Sequence, residues 1–340
     1  MTGEDTGKLV VVGCGAATER FYLPALSARP ELASRVLFLD LDMARAAELG
    51  ARIGAKAVSS LDQAATEGAV AAILATPHHL HHRQALAALD LGMHLLIEKP
   101  VTISAGEARE IADKGEATGR LVMVNNNRRL FPAFNAIHAL VRSGELGQLT
   151  SGEFLDGSEF EWPTVTGFYL TSPEAKGVLL DRGAHTVDIM TWWLGDDLTI
   201  SEALHDGFAG ADATFHLTAR TPNGAPIALK FSRLVKLPNS YELVFENGAI
   251  RGKIFSWDKY ERRGPRGPWT TVSAPGFNPK AYNDFVFKMT DLFLDAVFAG
   301  AKAPLTVRDV IPSIALIEQA YAQAIPFSLP WYDEWKAKEQ

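Results

Sequence analysis

Residues 9–18 read LVVVGCGAAT, an apolar run that passes directly into a glycine-rich turn. A short, continuous apolar run bounded by glycine is typical of a strand buried on both faces of a parallel sheet. Helical periodicity follows from about Glu19. We therefore expect the chain to begin with a strand, a glycine turn and a helix.

The turn carries most of the pattern of a dinucleotide-binding loop, which has glycine at its first two marked positions and glycine or alanine at the third. Gly13 permits a tight turn, and Gly15 lets the backbone approach a pyrophosphate. The pyrophosphate would sit on the helix N-terminus, beside Ala16 and Ala17. Thr18 departs from the pattern at the third position, where close packing of helix on strand is expected.

An acidic residue follows the second apolar run, at about the separation that such a loop requires. Residues 36–39 read VLFL, and Asp40 comes next as the expected acceptor for the adenosine ribose hydroxyls. A 2′-phosphate would meet Asp40 and Asp42 there, so NAD is favoured over NADP. Arg45 could offset this negative charge, which keeps NADP open. The alternative for Asp40 is a simple strand-end cap, but a cap would not explain the glycine turn.

Strands and helices alternate through the first 124 residues. Further apolar runs lie at residues 69–75, 94–97 and 121–124, and helical patterns lie at 43–49, 81–91 and 104–118. Alternation at this spacing indicates a parallel sheet with right-handed crossovers. We therefore predict an N-terminal Rossmann domain over residues 1–124.

The pattern changes after residue 124. Between residues 197 and 275 the chain reads as consecutive strands, with Asn223-Gly224 and Asn247-Gly248 as hairpin turns. Helical patterns lie at residues 132–142, 184–194, 281–299 and 307–324. The class is thus α/β: the Rossmann domain is followed by an α+β domain, residues 125–340, with a large, mostly antiparallel open sheet.

Composition excludes several classes of protein. Hydrophobic residues make up 47% of the 340 residues, enough for sizeable cores, and the net charge of −7 argues against a nucleic-acid-binding protein. No apolar run approaches the roughly 18 residues of a membrane helix. The N-terminus is polar and lacks an apolar signal core, so we expect a cytoplasmic protein. Cys14 is the only cysteine, which rules out an intramolecular disulfide.

A lysine stands where open α/β sheets place their ligands. Residues 94–97 form a predicted strand that ends in Glu98-Lys99-Pro100. Lys99 can point at the nicotinamide end of a cofactor and polarise a substrate oxygen. A solvated lysine at a strand end is the plainer alternative.

A carboxylate and an imidazole stand four residues apart farther along the chain. If this segment enters a helix, Asp181 and His185 share one face. A carboxylate near an imidazole holds it and raises its pKa toward a range useful for proton transfer. The alternative is a capping aspartate and a core histidine.

Taken together, these motifs resemble the glucose–fructose oxidoreductase / inositol dehydrogenase / MocA (Gfo/Idh/MocA) family. The most specific part lies between Thr76 and Pro100, where Thr-Pro-x-x-x-His is followed by Ala-Leu-x-x-Gly-x-His and Glu-Lys-Pro. The resemblance covers residues 9–324 and implies an NAD(P)-dependent oxidoreductase of sugars or cyclitols. It also implies that Lys99, Asp181 and His185 form the catalytic set.

The resemblance and the residue types together suggest further site residues. The expected cofactor-site residues beyond the glycine turn and Asp40 are Thr76, Pro77, His78, His81, Glu98 and Lys99. The expected substrate-site residues are Asn127, Arg128, Trp162, Tyr169 and Arg182. Trp162 and Tyr169 are included because aromatic faces suit sugar rings.

Two of these residues depart from the family's pattern. His78 stands where asparagine is usual, so contacts to the nicotinamide ribose would differ. Arg182 stands where an apolar residue is common, and it could bind a carboxylate or phosphate on the substrate, or face solvent.

The expected reaction moves a hydride between nicotinamide C4 and a carbinol or ketone carbon. His185 would exchange the hydroxyl proton, Lys99 would stabilise the alkoxide, and Asp181 would fix the histidine or a second hydroxyl. One alternative is a catalytically silent, dinucleotide-sensing regulator. Another is a Rossmann oxidoreductase with a non-sugar substrate, such as an imine, a diene-diol or a tetrapyrrole.

Two expectations concern metals and partners. Residues 78–82 read HHLHH, but adjacent imidazoles in a turn do not converge on one ion, so we expect no metal. The expected partner is a small carbohydrate-like substrate, with no nucleic acid and no membrane. The resemblance implies a homodimer or homotetramer, since a sheet with an open face can bury it against a second copy.

Overall fold

The computed structural model describes residues 7–162, 168, 172–207, 211–330 and 334. Its first sheet has six strands in the order β3-β2-β1-β4-β5-β6, all paired in parallel. These strands are β1 Lys8–Val12, β2 Val36–Leu39, β3 Lys56–Val58, β4 Ala69–Leu74, β5 His94–Ile97 and β6 Val122–Val124. The strand order reverses direction between β1 and β4, which is where dinucleotide-binding sheets hold their ligand. The predicted Rossmann sheet is confirmed.

Helices connect these strands. They are α1 Leu23–Ser27, α2 Met43–Ala51, α3 Leu61–Thr66, α4 His81–Asp90 and α5 Ala105–Thr118, with a π-helical turn at Thr18–Tyr22 and 3-10 turns at Pro30–Arg35 and His78–Leu80. The Ser104 hydroxyl accepts a hydrogen bond from the Glu107 amide, as the capping pattern predicts. Gly119 ends α5 in the left-handed conformation at φ 65°.

The second sheet has nine strands, in the order β14-β13-β12-β11-β7-β10-β9-β8-β15. They are β7 Leu149–Gly157, β8 Thr199–His205, β9 Thr214–Arg220, β10 Pro226–Ser232, β11 Ser240–Phe245, β12 Gly248–Lys253, β13 Lys259–Arg263, β14 Thr270–Ser273 and β15 Ile325–Pro326. Only the β7–β10 and β8–β15 pairs are parallel. The predicted antiparallel character and the hairpins at Asn223-Gly224 and Asn247-Gly248 are therefore confirmed.

The remaining helices lie after the first sheet in the chain. They are α6 Pro132–Arg142, α7 Val178–Asp181, α8 Gly183–Leu194, α9 Asn283–Phe298 and α10 Ile311–Gln323, with 3-10 turns at Asn127–Leu130, Pro173–Ala175 and Val307–Val310. In the part of the chain that the structure describes, no helix is long and apolar enough to cross a membrane.

The chain forms two compact units that are not continuous in sequence. The first unit comprises residues 1–136, 162–168 and 274–315, and the second comprises 137–161, 169–273 and 316–340. Val286, Met289 and Phe293 of α9 belong to the apolar core that surrounds the first sheet. A helix from far along the chain therefore completes the core of the first unit.

Candidate functional site

Gly13 is at a position that no other residue could occupy without strain. Its φ is +94°, and a Cβ there would lie 2.9 Å from the backbone of Ala75. Its N–H donates to the Leu39 carbonyl at 2.8 Å, so the turn is tied to the end of β2. The tight turn predicted for Gly13 is confirmed by this geometry.

Gly15 has a different reason to lack a side chain. A Cβ there would meet no atom of the described residues within 4 Å, so none of the contacts in this part of the chain requires glycine at the position. Ala16 and Ala17 follow and open the helix, and the Glu19 N–H donates to the Gly15 carbonyl at 3.1 Å. The outer side of this turn is thus bare backbone at a helix N-terminus.

Thr18 explains how the turn tolerates its departure from the usual pattern. Its side chain is fully buried, and its hydroxyl donates to the Gly13 carbonyl at 2.5 Å. The residue therefore closes the turn with a hydrogen bond, where the family pattern uses the small size of glycine or alanine.

Asp40 braces the same turn from the end of β2. Its Oδ2 accepts the Cys14 N–H at 2.6 Å, and its Oδ1 accepts the Asp42 N–H at 2.9 Å. The carboxylate remains half-buried, with lone pairs left on both oxygens. Cys14 itself is buried, and burial raises the pKa of its thiol to about 12. This fits a residue that packs in the core and not a reactive thiolate.

Arg45, whose charge bears on the choice of cofactor, has three partners. Its Nε donates to the Cys14 carbonyl at 3.1 Å, and its guanidinium pairs with Glu19 at 2.6 Å and with Glu48 at 3.3 Å. The other oxygen of Glu19 pairs with Arg52 at 2.8 Å. Two arginines thus converge on one glutamate beside the glycine turn.

His81 connects the turns that follow β4 and β5. Its ring is buried, with Nε2 2.9 Å from the Thr76 carbonyl and Nδ1 3.1 Å from the Pro100 carbonyl. Burial lowers the pKa of His81 to about 4 and outweighs the two carbonyls, which favour the protonated ring. The Thr76 hydroxyl donates a hydrogen bond to the Gln84 side chain at 2.5 Å. Pro77, the next residue, is half-buried.

The other histidines of the HHLHH segment contact Phe168 or Glu110. His78 meets the Phe168 ring edge-on at 5.3 Å, and His79 stacks on that ring at 5.0 Å. His82 lies 2.9 Å from a Glu110 oxygen. Among the described residues, no group of three or more His, Cys, Asp or Glu side chains is arranged to hold a metal ion.

Glu98 is held by residues that the sequence did not identify. Its Oε1 accepts the Tyr22 hydroxyl at 2.6 Å and the Asn125 amide at 2.7 Å, and its Oε2 accepts the Lys99 N–H at 3.1 Å. Burial and the Glu98 charge hold the pKa of Tyr22 well above its usual value. The next peptide, Lys99–Pro100, is cis. The Glu98 carboxylate thus holds the Lys99 backbone N–H and is itself held by Tyr22 and Asn125.

The predicted substrate residues of the first unit are only partly accessible. Asn127 and Arg128 are buried, and Asn127 accepts the Tyr282 hydroxyl at 3.1 Å. Trp162 is half-buried, 5.8 Å from the Phe21 ring and beside the Arg20 guanidinium. Tyr169 lies outside the described residues.

In the second unit, Asp181 and His185 stand on nearly continuous helix. Asp181 ends α7, His185 follows the start of α8, and Arg182 between them has helical backbone angles. Asp181 pairs with buried Arg233 at 3.1 Å, and His185 is 9% exposed. Arg233 was not foreseen, because it comes from the segment after β10.

A second carboxylate, that of Asp212, stabilises the helical segment that carries Asp181. Asp212 accepts the Leu179 N–H at 3.2 Å and the Tyr321 hydroxyl at 2.9 Å. Burial raises the pKa of Asp212, against the opposing charge of Arg233. Gly177 packs so closely on Asp212 that a Cβ would overlap its carboxyl group.

The Arg182 side chain is 20% exposed and is held by partners within the protein. Its Nε and one terminal nitrogen donate to Asp156, at 2.8 and 2.5 Å, and its other nitrogen donates to Ser158 at 2.8 Å. Asp156 is fully buried and also accepts the Thr186 hydroxyl at 2.7 Å. The arginine thus uses every guanidinium nitrogen within the protein.

Comparison with known proteins gives two family matches. Residues 8–126 match the oxidoreductase family with an NAD-binding Rossmann fold, and residues 134–251 match the GFO/IDH/MocA C-terminal domain. The inositol 2-dehydrogenase 1 of Paenarthrobacter aurescens is 30% identical over 311 residues, which cover 88% of this chain and 89% of the relative. The glucose-6-phosphate 3-dehydrogenase of Bacillus subtilis is 29% identical over 206 residues, 58% of this chain and 56% of that enzyme.

Solved structures with the same fold cover nearly the whole chain. A 3-ketoreductase from Actinomadura kijaniata, in complex with NADP and TDP-benzene, superposes with a TM-score of 0.79 at 21% identity, covering 95% of this chain and 99% of that one. An oxidoreductase from Agrobacterium radiobacter, in complex with NAD+, L-tartaric acid and magnesium, gives 0.76 at 20% identity, covering 94% and 96%. At these identities the likeness establishes the fold.

Proposed function

Because the chain belongs to the GFO/IDH/MocA family of NAD-binding oxidoreductases, we propose that it interconverts a carbinol and a ketone on a sugar, cyclitol or sugar derivative. The relatives named above are dehydrogenases of inositol and glucose 6-phosphate. The observation that carries the proposal is the braced glycine turn, whose outer side is bare backbone at the switch point of the first sheet.

The residues of this turn fit a dinucleotide. No contact among the described residues requires glycine at position 15. The absence of a side chain there is explained by a group that binds next to the backbone, such as a pyrophosphate. Asp40 retains free lone pairs for ribose hydroxyls. NAD is the proposed cofactor, because Asp40 and Asp42 would repel a 2′-phosphate while Arg45 is already paired.

The chain supplies charge and proton transfer around the reacting carbon. When bound, the nicotinamide exchanges a hydride with the substrate. The Lys99 ammonium stabilises the negative charge that develops on the substrate oxygen, and His185 takes or returns the hydroxyl proton. Asp181, itself held by Arg233, orients the histidine or a second hydroxyl.

Substrate binding is proposed for a subset of the expected residues. Asn127, Arg128, Trp162 and Tyr169 stay in the proposed set. The pairing of Arg182 with Asp156 and Ser158 argues against its binding a substrate anion. The cytoplasmic location and a homodimer or homotetramer stay predictions, and light scattering of the purified protein tests the second.

The first experiment titrates the protein with NADH and NADPH by fluorescence and compares Gly15→Ala with the matched control Gly264→Ala. Both positions accept a Cβ without any protein atom within 4 Å. We expect Gly15→Ala to weaken NADH binding at least about tenfold while its thermal stability stays within about 0.5 kcal/mol of the wild type. Gly264→Ala should change neither quantity. Equal NADH affinity in both variants would contradict the assigned pyrophosphate position.

Turnover is then measured over a panel of sugars, cyclitols and sugar acids. Lys99→Ala and His185→Ala should each lower kcat by about 10²-fold or more, since each removes a group that acts in the transition state. NADH affinity should be retained in His185→Ala. Tight NADH binding with no turnover on any substrate would favour a dinucleotide sensor instead.

A further inference from the structure

Glu19 forms ion pairs with two arginines, Arg45 and Arg52, beside the glycine turn. Its two carboxylate oxygens take Arg45 at 2.6 Å and Arg52 at 2.8 Å. Hydrogen bonds from these two guanidinium groups lower the pKa of Glu19, so the carboxylate is ionised at neutral pH. One glutamate therefore offsets part of the charge of two potential anion-binding residues.

Arg45 stands beside Asp40, the residue that binds the adenosine ribose in the proposed function. Arg45 donates to the carbonyl of Cys14, and Asp40 accepts the N–H of the same residue. Arg45 and Asp40 thus contact the two backbone groups of one residue of the turn, Cys14. A phosphate on the ribose 2′-oxygen would meet these two groups first.

We propose that Glu19 is a specificity-determining residue, which sets the preference for NAD over NADP by withholding Arg45 and Arg52 from a 2′-phosphate. The inference rests on the proposed function and deepens it. The charged groups nearby include four carboxylates, Asp40, Asp42, Glu19 and Glu48, and two guanidinium groups. Arginine binds phosphate through its planar fork, which it does not offer while that fork is paired with carboxylates.

Removal of the Glu19 charge should release the arginines without removing their packing. We expect Glu19→Gln to tighten NADPH binding about tenfold, because one negative charge is removed from a partly exposed surface beside the proposed phosphate position. NADH affinity should change less than about threefold, because NADH has no 2′-phosphate that the released arginines could bind. The gained NADPH affinity should fall with added salt.

Glu67→Gln is the matched control. Glu67 also pairs with two cations, Lys8 at 3.3 Å and Lys56, but it lies beside the opposite end of β1. The variant changes the net charge equally and should leave the ratio of NADPH to NADH affinity unchanged. Adding Arg45→Ala to Glu19→Gln should reverse most of the gain, which identifies the released guanidinium as the phosphate ligand.

Fluorescence titration of both reduced cofactors measures these ratios in the full chain. A selective gain for NADPH in Glu19→Gln, absent in Glu67→Gln, would support the inference. Tight NADH binding with a ratio unmoved by Glu19→Gln, or moved equally by both variants, would overturn the inference alone. Failure of the wild-type chain to bind either cofactor would overturn the proposed function and the inference with it.

Discussion

At the third position of the glycine turn, Thr18 closes the turn with a hydrogen bond, where the family pattern has a small glycine or alanine. Its hydroxyl binds the Gly13 carbonyl from a fully buried position. Arg182 shows the reverse, since a charge that looked available for substrate is committed to Asp156. The residue type alone could not separate these outcomes, because each depends on a partner elsewhere in the chain.

Local patterns predicted the parts of the site that are local in sequence. Gly13 follows its strand directly, and its φ is dictated by the turn itself. The Glu98 anchor is different, because Tyr22 lies 76 residues from Glu98. Arg233 lies 52 residues from Asp181. Such contacts are set by the strand order of each sheet, which one sequence does not reveal.

His81 makes a prediction about acid stability. Its folded pKa, about 4, lies below its ordinary value of 6.5 because the ring is buried. Between these values the unfolded chain binds a proton that the folded chain does not, so the stability is fully present above pH 6.5 and falls as the pH is lowered toward 4. We expect a loss of roughly 3 kcal/mol over this window.

Urea unfolding at several pH values checks this expectation, with His81→Gln as the comparison. Glutamine does not titrate, so the variant should be less stable at neutral pH and should show a shallower decline on acidification. An identical slope in the two proteins would mean that His81 keeps an ordinary pKa in the fold.

At the scale of elements, segments with a clear apolar pattern were predicted closely, and two strands without such a pattern were not predicted. The helix at residues 104–118 and the strand at 36–39 appear almost as expected, as α5 and β2. The strand β3 has only three residues, too few for a period to emerge. The strand β7 contains two glycines, and its burial does not alternate regularly, so the sequence did not predict this central strand.

The start of α7 yields a second prediction. Gly177 has extended backbone, yet a Cβ there would overlap the carboxyl group of Asp212, which itself caps the Leu179 N–H. We expect Gly177→Ala to destabilise the protein by about 2 kcal/mol or more, since either the helix or the Asp212 segment must move. Gly264→Ala, with open space around it, should be within about 0.5 kcal/mol of the wild type.

Thermal denaturation distinguishes these two variants. Because Gly177 begins the helix that carries Asp181, Gly177→Ala should also lower turnover while NADH affinity stays near the wild-type value. Wild-type stability in Gly177→Ala would show that the Asp212 segment yields at little energetic cost.

For the whole molecule, the residues with proposed roles are distributed over both compact units. The glycine turn and Lys99 belong to the first unit, and Asp181 and His185 belong to the second. The alternation of strands and helices predicted the first sheet, and the Asn-Gly turns predicted the character of the second. The assignment of α9 to the first core could not be predicted, because an amphipathic helix does not encode which sheet it covers.

This assignment gives the third prediction. Phe293 is fully buried in the core of the first unit, so Phe293→Ala should destabilise that unit by about 3–5 kcal/mol through the cavity it leaves. Calorimetry with and without NADH should show that the lowered transition is the one that the cofactor raises. Phe255→Ala, at a position that is 40% exposed in the second unit, should leave that transition unchanged. The opposite pattern would remove α9 from the cofactor unit.

The late position of α9 also has a consequence for biosynthesis. A nascent chain leaves the ribosome N-terminus first, and domains that are continuous in sequence can fold as they emerge. Here the first sheet is translated early, but the helix that completes its core ends only at Phe298. The apolar face that α9 covers must therefore stay uncovered until residue 298 has been synthesised, and a chaperone that shields it during that interval would bind nascent chains that already contain strands β7 to β14.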